Sequence, residues 1–151
     1  MANDISIAQA QTILGYQFNN VAYLREALHA AGSGFIKDGQ QILHEGNKRL
    51  AVLGNAVIQL ILQQDWYGSG RSRESGNQNL SRIAASQFLA DVARQSGIDL
   101  CIVPNPSQHG QPASPVLLTS TISAAIGAIW LDSANNLPVT RRVMINLRIL
   151  Q

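Results

Sequence analysis

The sequence lacks the features that mark several classes of protein. It has one cysteine, Cys101, among 151 residues, which excludes an internal disulfide framework and a cysteine-based zinc site. No run approaches the roughly 18 consecutive apolar residues of a transmembrane helix. The opening segment, MANDISIAQAQ, lacks the basic and apolar regions of a secretory signal. We therefore expect no membrane association and a cytoplasmic or nuclear location by default, with a mitochondrial location left open.

Charge is also scarce. Only 13% of the residues are charged, about half of the usual ~25%, whereas 46% are hydrophobic. This balance argues against intrinsic disorder and for a folded core. Eleven Lys and Arg against nine Asp and Glu give a net charge of +2 without any basic tract. That surplus is compatible with nucleic-acid binding but does not argue for it. The length of 151 residues predicts one domain.

The spacing of apolar residues predicts an all-α fold, because they recur every three to four positions and no segment alternates convincingly at period two. The predicted helices cover residues 5–14, 20–31, 45–64, 80–96, 116–132 and 138–150. Gly15 and Gly97 are predicted to end two of them. The stretches 32–46, 67–79 and 103–115 are predicted loops. Helices 45–64 and 116–132 are rich in apolar residues, and we interpret both as buried.

Both buried helices resemble segments of the ribonuclease III family. Residues 48–58, KRLAVLGNAVI, resemble its signature E-R-L-E-F-L-G-D-A-V-L. Residues 119–132, TSTISAAIGAIWLD, resemble its later pattern A-D-T-V-E-A-L-I-G-G-V-F-L-D. The flanking stretches LGYQFNNVAYLREAL and LSRIAASQFLADVARQSGID also resemble the family, in the same order. The resemblance covers about residues 10–150. It implies a single ribonuclease III-like helical domain over residues 1–151, and we expect no separate double-stranded-RNA-binding domain.

The departures from the family lie at its acidic site, where four carboxylates hold the divalent metal that cleaves double-stranded RNA. The two quoted patterns contain five acidic positions in this region, and the residues that match them here are Lys48, Ala51 and Asn55 on the first helix, and Ser120 and Ser123 on the later one. None is a carboxylate, the ligand that Mg²⁺ typically requires. A lysine also repels a cation, by roughly 4 kcal/mol for unit charges ~4 Å apart at an effective dielectric constant of 20. The sequence therefore predicts no metal site of the family type, no Mg²⁺ cofactor, and a small polar pocket with one lysine.

These residues have ordinary structural interpretations as well. Lys48 either binds a phosphate in place of the lost metal or is a solvated lysine at a helix start. Ser120 and Ser123 either bind a ligand or bond to carbonyls of the preceding turn, and we favour the second. His44 and Glu45 offer displaced metal ligands, but they lie off the matched positions, so we do not predict a metal site there.

The remaining distinctive side chains favour structural roles. His29 and His109 have no visible partner in the sequence, and we expect both at the surface or at helix ends. Cys101 lies in an apolar stretch, which is typical of a buried, unreactive thiol. Trp66 and Trp130 occupy apolar patterns, and we expect them in the core or at an interface.

Five arginines are candidates for contacts with RNA phosphates. Arg71 and Arg73 lie in a predicted loop, and Arg141, Arg142 and Arg148 on the last helix. RNA binding through such residues would weaken steeply with salt. An ordinary solvated surface explains them equally well.

The resemblance also implies a two-fold homodimer, because family members pair through the signature helix. The implied interface residues are Val52, Leu53 and Val57. Val52 replaces the aromatic residue that usually anchors this interface, which reduces the apolar area available for burial. A monomer or a heterodimer is the alternative.

The sequence therefore predicts a ribonuclease III-like protein without the metal-binding carboxylates. We interpret it as a catalytically inactive dimer that serves as a double-stranded-RNA-binding or ribonucleoprotein scaffold module. One alternative is an active RNA endonuclease without the usual Mg²⁺ site, with Lys48, His44, Glu45, Asn55 and Ser120 as its candidate residues. Another is a purely structural protein-interaction dimer with no role in nucleic-acid binding.

Overall fold

The computed structural model describes residues 3–34, 45–108 and 110–150, together with the backbone of residues 36–37 and 40–41. The described part is built from α-helices, so the predicted all-α class is confirmed. The helices are α1 (Asp4–Leu14), α2 (Val21–Ala27), α3 (Lys48–Ser69), α4 (Arg73–Ala84), α5 (Ser86–Ser96), α6 (Pro115–Asp132) and α7 (Leu137–Asn146). A two-residue antiparallel pair, β1 (Ile36–Lys37) and β2 (Gln40–Gln41), and short 3₁₀ turns at Ile98–Cys101 and Pro106–Gln108 complete it.

α6 is the central helix of the fold. It packs mainly against α3 and α5, and α2 and α7 contact it at its sides. Its buried residues are Leu118, Thr121, Ile122, Ser123, Ala124, Ala125, Ile126, Gly127, Ala128 and Ile129. α6 is long and apolar enough to cross a membrane, judged by length and composition alone. Core helices of folded domains meet the same two criteria. The position of α6 among the other helices accounts for this apolar character.

Two glycines bring the backbones of α3 and α6 into direct contact. A Cβ atom on Gly54 of α3 would collide with the carbonyl oxygen of Ser123 on α6. A Cβ atom on Gly127 of α6 would lie 2.5 Å from the carbonyl oxygen of Leu50 on α3. No larger residue fits at either position unless a helix moves. The two glycines thereby set the distance between the helices that carry the candidate site.

Asp132, the last residue of α6, fastens the α1–α2 connection to the core. Its carboxylate accepts hydrogen bonds from the Tyr16 hydroxyl at 2.7 Å and from the backbone N–H groups of Asn19 at 2.9 Å and Asn20 at 2.7 Å. Burial, then the hydrogen bond to Asp132 and its negative charge, raise the pKa of Tyr16 well above its ordinary value. One carboxylate therefore satisfies three donors from a segment more than a hundred residues away in sequence.

α2 ends earlier than the sequence predicts, at Ala27 rather than near residue 31. The chain after it turns aside, because the N–H of Ala30 donates to the carbonyl of Val103 and the N–H of Val103 donates to the carbonyl of Leu28. His29 lies between these two hydrogen bonds and is 1% exposed. Of its two expected locations, the surface is wrong, whereas a position just after a helix end is confirmed. Burial lowers the pKa of His29, whose Nδ1 lies 2.6 Å from the carbonyl oxygen of Arg25.

The predicted loop over 67–79 is mostly helical, which corrects the sequence analysis. α3 continues to Ser69, and α4 begins at Arg73. The Ser72 side chain caps α4 by accepting a hydrogen bond from the N–H of Ser75. A tertiary contact adds to this local signal. Trp66 lies so close to Gly76 that a Cβ atom there would be 2.7 Å from its ring.

The helix predicted over 80–96 is two helices. α4 and α5 meet at Ala85, whose backbone is extended with ψ of 125°. α7 also stops before the predicted end, at Asn146, and Arg148 beyond it has a left-handed φ of 63°. The predicted stops at Gly15 and Gly97 are confirmed, since both have left-handed φ values after a helix.

Cys101 is buried as predicted, with 2% of its surface exposed. Burial, aided by the negative charge of Asp99, raises the pKa of its thiol, which keeps it protonated and unreactive at neutral pH. Trp130 packs against the core as a partly buried side chain.

Candidate functional site

A buried asparagine joins the starts of α3 and α6. Asn47 is 1% exposed, and its amide nitrogen donates to the carbonyl of Ala27 at 2.9 Å and to the Thr121 hydroxyl at 3.1 Å. Its amide oxygen accepts a hydrogen bond from the Ser120 hydroxyl at 2.8 Å. The side chain thus bonds to α2 and α6 at once and fixes the starts of α3 and α6 beside each other.

Asn47 was not among the site residues predicted from the sequence. The signal that it offered was an asparagine directly before the first residue of α3, a pattern that predicts a helix cap. In the structure its side chain makes no capping hydrogen bond, because it turns into the core instead. The side chain turns inward because α6 places the hydroxyls of Ser120 and Thr121 within hydrogen-bond distance of it.

A groove of about 270 Å³ with both polar and apolar walls lies over this asparagine. It runs between the segment after α2, the start of α3, the 104–108 turn and the start of α6. Its lining residues are Ala30, Ala31, Asn47, Lys48, Asn105, Gln108, Ser114, Val116, Leu117 and Ser120. Among these described residues, Lys48 is the only charged one. Amides and hydroxyls supply the rest of its polar surface, so the groove suits an anion better than a cation.

The structure brings only two of the five matched positions together in this groove, Lys48 and Ser120. Ser123 lies behind them, 4% exposed, where its backbone meets α3. Ala51 is half-buried against the core, and Asn55 is half-buried outside the groove lining. Of the residues predicted to form a small polar pocket with one lysine, the groove thus contains Lys48 and Ser120.

Ser120 corrects one expectation. We expected it to bond to a carbonyl of the preceding turn, but its hydroxyl donates to the side chain of Asn47. The neighbouring Thr121 makes the expected kind of bond instead, to the carbonyl of Leu117 at 2.8 Å.

Within the described ranges, no three His, Cys, Asp or Glu side chains lie close enough together to hold a metal ion. Glu45 is exposed, and its carboxylate lies 4.0 Å from the guanidinium of Arg49. His44 and His109 lie outside the described residues.

The arginines predicted to contact RNA have different surroundings. The guanidinium of Arg141 donates hydrogen bonds of 3.2 and 3.0 Å to the carboxylate of Asp65. These hydrogen bonds, and then the negative charge of Asp65, raise the pKa of Arg141 above its ordinary value. Arg73 and Arg142 are exposed, at the start of α4 and on α7. Arg71 lines a second groove beyond the end of α3. The fifth candidate, Arg148, is exposed after α7.

The three residues predicted at a dimer interface also differ. Val52 is 75% exposed on the outer side of α3, whereas Val57 is 5% exposed and belongs to the core. Leu53 is half-buried. Two further apolar side chains continue the row from Val52 about every two turns: Leu60, 52% exposed, and Tyr67, 82% exposed. We call Val52, Leu60 and Tyr67 the outer row of α3. The sequence pattern predicted Leu60 on the inner face of a buried helix and Tyr67 in the loop 67–79, so neither was expected in this row.

Comparison with known proteins connects this geometry to a family. Residues 32–147 match the model of the family described as Ribonuclease-III-like. Among curated relatives, Ribonuclease 3 of Desulforamulus reducens is 30% identical over 142 residues, which is 90% of this chain and 55% of that protein. Ribonuclease 3 of Coxiella burnetii is 30% identical over 139 residues, 88% of this chain and 54% of that protein. The chain thus spans about half the length of these relatives.

Solved structures agree with the sequence relatives. The nuclease domain of ribonuclease III from Campylobacter jejuni superposes with a TM-score of 0.76 at 21% identity, over 93% of this chain and 94% of that one. A second structure of the same domain gives a TM-score of 0.72 and covers 97% of this chain. The fold is therefore that of a ribonuclease III nuclease domain. With the match over residues 32–147, the chain belongs to the ribonuclease-III-like family.

Proposed function

We propose that this chain is a catalytically inactive member of the family, which binds double-stranded RNA as a dimeric scaffold module. One observation carries the proposal. The five positions matched to the family's acidic site hold Lys48, Ala51, Asn55, Ser120 and Ser123, so none supplies a carboxylate. In this proposal the family-type Mg²⁺ site is lost, and the chain keeps the fold without the chemistry.

The chemistry of the groove supports this loss. Mg²⁺ gives up its water reluctantly and is usually held through carboxylates. Phosphodiester hydrolysis in such sites depends on the metal to activate water and to stabilise the developing charge. Here the hydroxyl of Ser120 is already committed to Asn47, and the exposed Lys48 contributes a positive charge to the lining. Both features oppose a bound cation.

The same groove suits a phosphate of the RNA backbone. The ammonium of Lys48 is able to donate charge-assisted hydrogen bonds to a phosphate oxygen, and these are stronger than neutral ones. The amides of Asn105 and Gln108 and the hydroxyl of Ser114 line the same space. Lysine thus takes the place of the metal as the positive partner of the phosphate, without activating water.

The outer row of α3 supports a homodimer. The nuclease domain of ribonuclease III from Campylobacter jejuni has a region involved in dimer formation. A two-fold contact through α3 would place the row of one protomer against the same row of its partner. The exposed row also favours a second candidate function, a protein-interaction dimer that binds no RNA.

The deciding experiment measures cleavage and binding of a labelled double-stranded RNA on one purified sample, with Mg²⁺ and with EDTA. We expect binding without cleavage in both, and about tenfold weaker binding by Lys48→Ala, since it removes a phosphate contact. Arg94→Gln, an exposed change on α5, is the charge control and should leave binding within about twofold.

Each other result identifies an alternative. Cleavage that requires Mg²⁺ would show that a metal site persists, and it would overturn the proposal. Cleavage in EDTA that disappears in Lys48→Ala would favour an endonuclease built from other residues. Self-association without RNA binding would favour the protein-interaction dimer.

A further inference from the structure

A second groove, of about 330 Å³, lies at the opposite end of α3 from Lys48. The end of α3, the helix α4 and the segment after α7 form its walls. Its lining residues are Leu62, Asp65, Arg71, Asn79, Arg82, Ile149 and Leu150. We call it the arginine groove. The α3 residues that line the groove, Leu62 and Asp65, follow Lys48 by 14 and 17 positions, so at a rise of about 1.5 Å per residue the groove lies roughly 21–26 Å from Lys48 along the helix.

The arginine groove carries an excess of positive charge. Its one lining carboxylate, Asp65, is neutralised by Arg141 through two hydrogen bonds. Within the described part of the chain, Arg71 and Arg82 form no ion pair with any carboxylate. Two guanidinium charges therefore remain uncompensated on its walls.

Both arginines are exposed, and each makes a contact that restricts its side chain. The Nε of Arg71 donates to the Ser69 hydroxyl at 3.1 Å, which leaves its terminal nitrogens as donors. The guanidinium carbon of Arg82 lies 4.7 Å from the centre of the Phe88 ring, at the distance of a cation–π contact. Side chains that are ordered before binding lose less conformational freedom when a ligand arrives. This order favours binding over a merely solvated surface.

The chemistry of these groups identifies the ligand class. A guanidinium presents paired N–H donors whose geometry matches two oxygens of a phosphate. The amide of Asn79 lines the same groove beside them, and Leu62, Ile149 and Leu150 supply apolar surface. We infer that the arginine groove binds a phosphodiester group, and that its source is the backbone of the same RNA that Lys48 contacts. The choice of RNA as the source rests on the proposed function.

The test compares two double variants of the full chain by binding of labelled double-stranded RNA over a range of salt concentrations. Arg71→Gln with Arg82→Gln removes both free charges of the groove. Arg49→Gln with Arg94→Gln removes the same net charge from exposed positions outside it. We expect the first pair to weaken binding at least tenfold and to reduce the slope of log affinity against log salt by about one or more. The second pair should weaken it less than threefold.

Substitution of Asp65 should change RNA affinity in the opposite direction. Asp65→Asn removes the negative charge and frees Arg141, so RNA binding should become tighter, whereas Arg141→Leu should weaken it by exposing that carboxylate. A purely structural role for the pair would move both variants in the same direction. Arg71→Gln alone, an exposed change beyond the end of α3, keeps the test valid if the double variant does not fold.

Competition separates the sources of phosphate. Displacement of RNA from the groove by a longer RNA, but not by inorganic phosphate or a mononucleotide at similar phosphate concentration, supports the inference. Equal effects of the two double variants would overturn it, and so would phosphate binding in the groove without any effect on RNA affinity. Loss of RNA binding in Lys48→Ala alone would support the proposed function and contradict the second site. Loss in the groove variant alone would support the second site and contradict the phosphate contact proposed for Lys48.

Discussion

The polar side chains at the two ends of α6 differ in charge and in what they contact. At its C-terminal end Asp132 keeps the carboxylate of the family pattern and bonds to three donors from the α1–α2 connection. Near its start, two positions that match carboxylates in the family hold Ser120 and Ser123. The retained carboxylate serves the fold, whereas the missing ones would serve a metal. Structural and chemical requirements on one helix are therefore separable.

Electrostatics explains why the two ends differ. Asp132 faces an O–H and two N–H groups, which stabilise its charge without any ion. Several carboxylates gathered at one site repel each other unless a cation lies between them. Neutral groups avoid this repulsion. Near the start of α6, Ser120 and Thr121 form hydrogen bonds with Asn47 without any charge.

The largest expected effect breaks the contact on which both ends depend. Gly54→Ala places a methyl group against the carbonyl of Ser123 and should reduce the free energy of unfolding by about 4 kcal/mol or more, or prevent folding. Gly68→Ala on the same helix meets no atom within 4 Å and should stabilise by up to about 1 kcal/mol. Urea unfolding measures both. Similar values for the two variants would contradict the close approach of α3 and α6.

Asp132→Asn tests the structural end. An amide presents its NH₂ to at least one of the three donors, so we expect a loss of about 2–3 kcal/mol in unfolding free energy. Asp91→Asn is the control, because within the described part of the chain the Asp91 side chain bonds to exposed neighbours on its own helix. Its effect should stay within about 0.5 kcal/mol. If thermal or urea unfolding showed equal losses of unfolding free energy for the two variants, Asp132 would have no special structural role.

Ser120→Ala tests the other end and has the smallest expected effect. It removes the donor to the buried amide oxygen of Asn47 and should cost about 1–2 kcal/mol, since that oxygen loses its one hydrogen-bond partner among the described residues. Ser81→Ala, on the exposed side of α4, should change stability by no more than about 0.5 kcal/mol. If Ser120→Ala is neutral in urea unfolding, water replaces the hydroxyl and the network does not stabilise the site.

The sequence predicted the apolar helices well and the polar helix badly. α1, α3 and α6 have buried residues at helical spacing, which periodicity detects. α4 buries only Gly76 and Ile83, so its glycine- and serine-rich sequence resembles a loop. Its packing on Trp66 is a tertiary contact that no local pattern contains.

The candidate site was predictable only in part. The resemblance to the family placed Lys48 and Ser120 on facing helices, and the structure brings both into one groove. Asn47 and Arg82 were not predicted as site residues, because their neighbours in the structure are distant in sequence. Asn47 bonds to Ser120 and Thr121, and Arg82 faces the other residues of the arginine groove.

The sequence by itself determined the helical class, the buried character of α6, the family pattern and the absence of carboxylates at the matched positions. These properties depend on residue type and local spacing, which are written along the chain. Only the tertiary structure decided that Asn47 bonds into the core, that Asp132 fastens a distant segment, and that Arg71 and Arg82 share one groove. Each of these depends on the close contact of α3 and α6 or on the packing around it, where groups far apart in sequence compete for the same hydrogen bonds and charges.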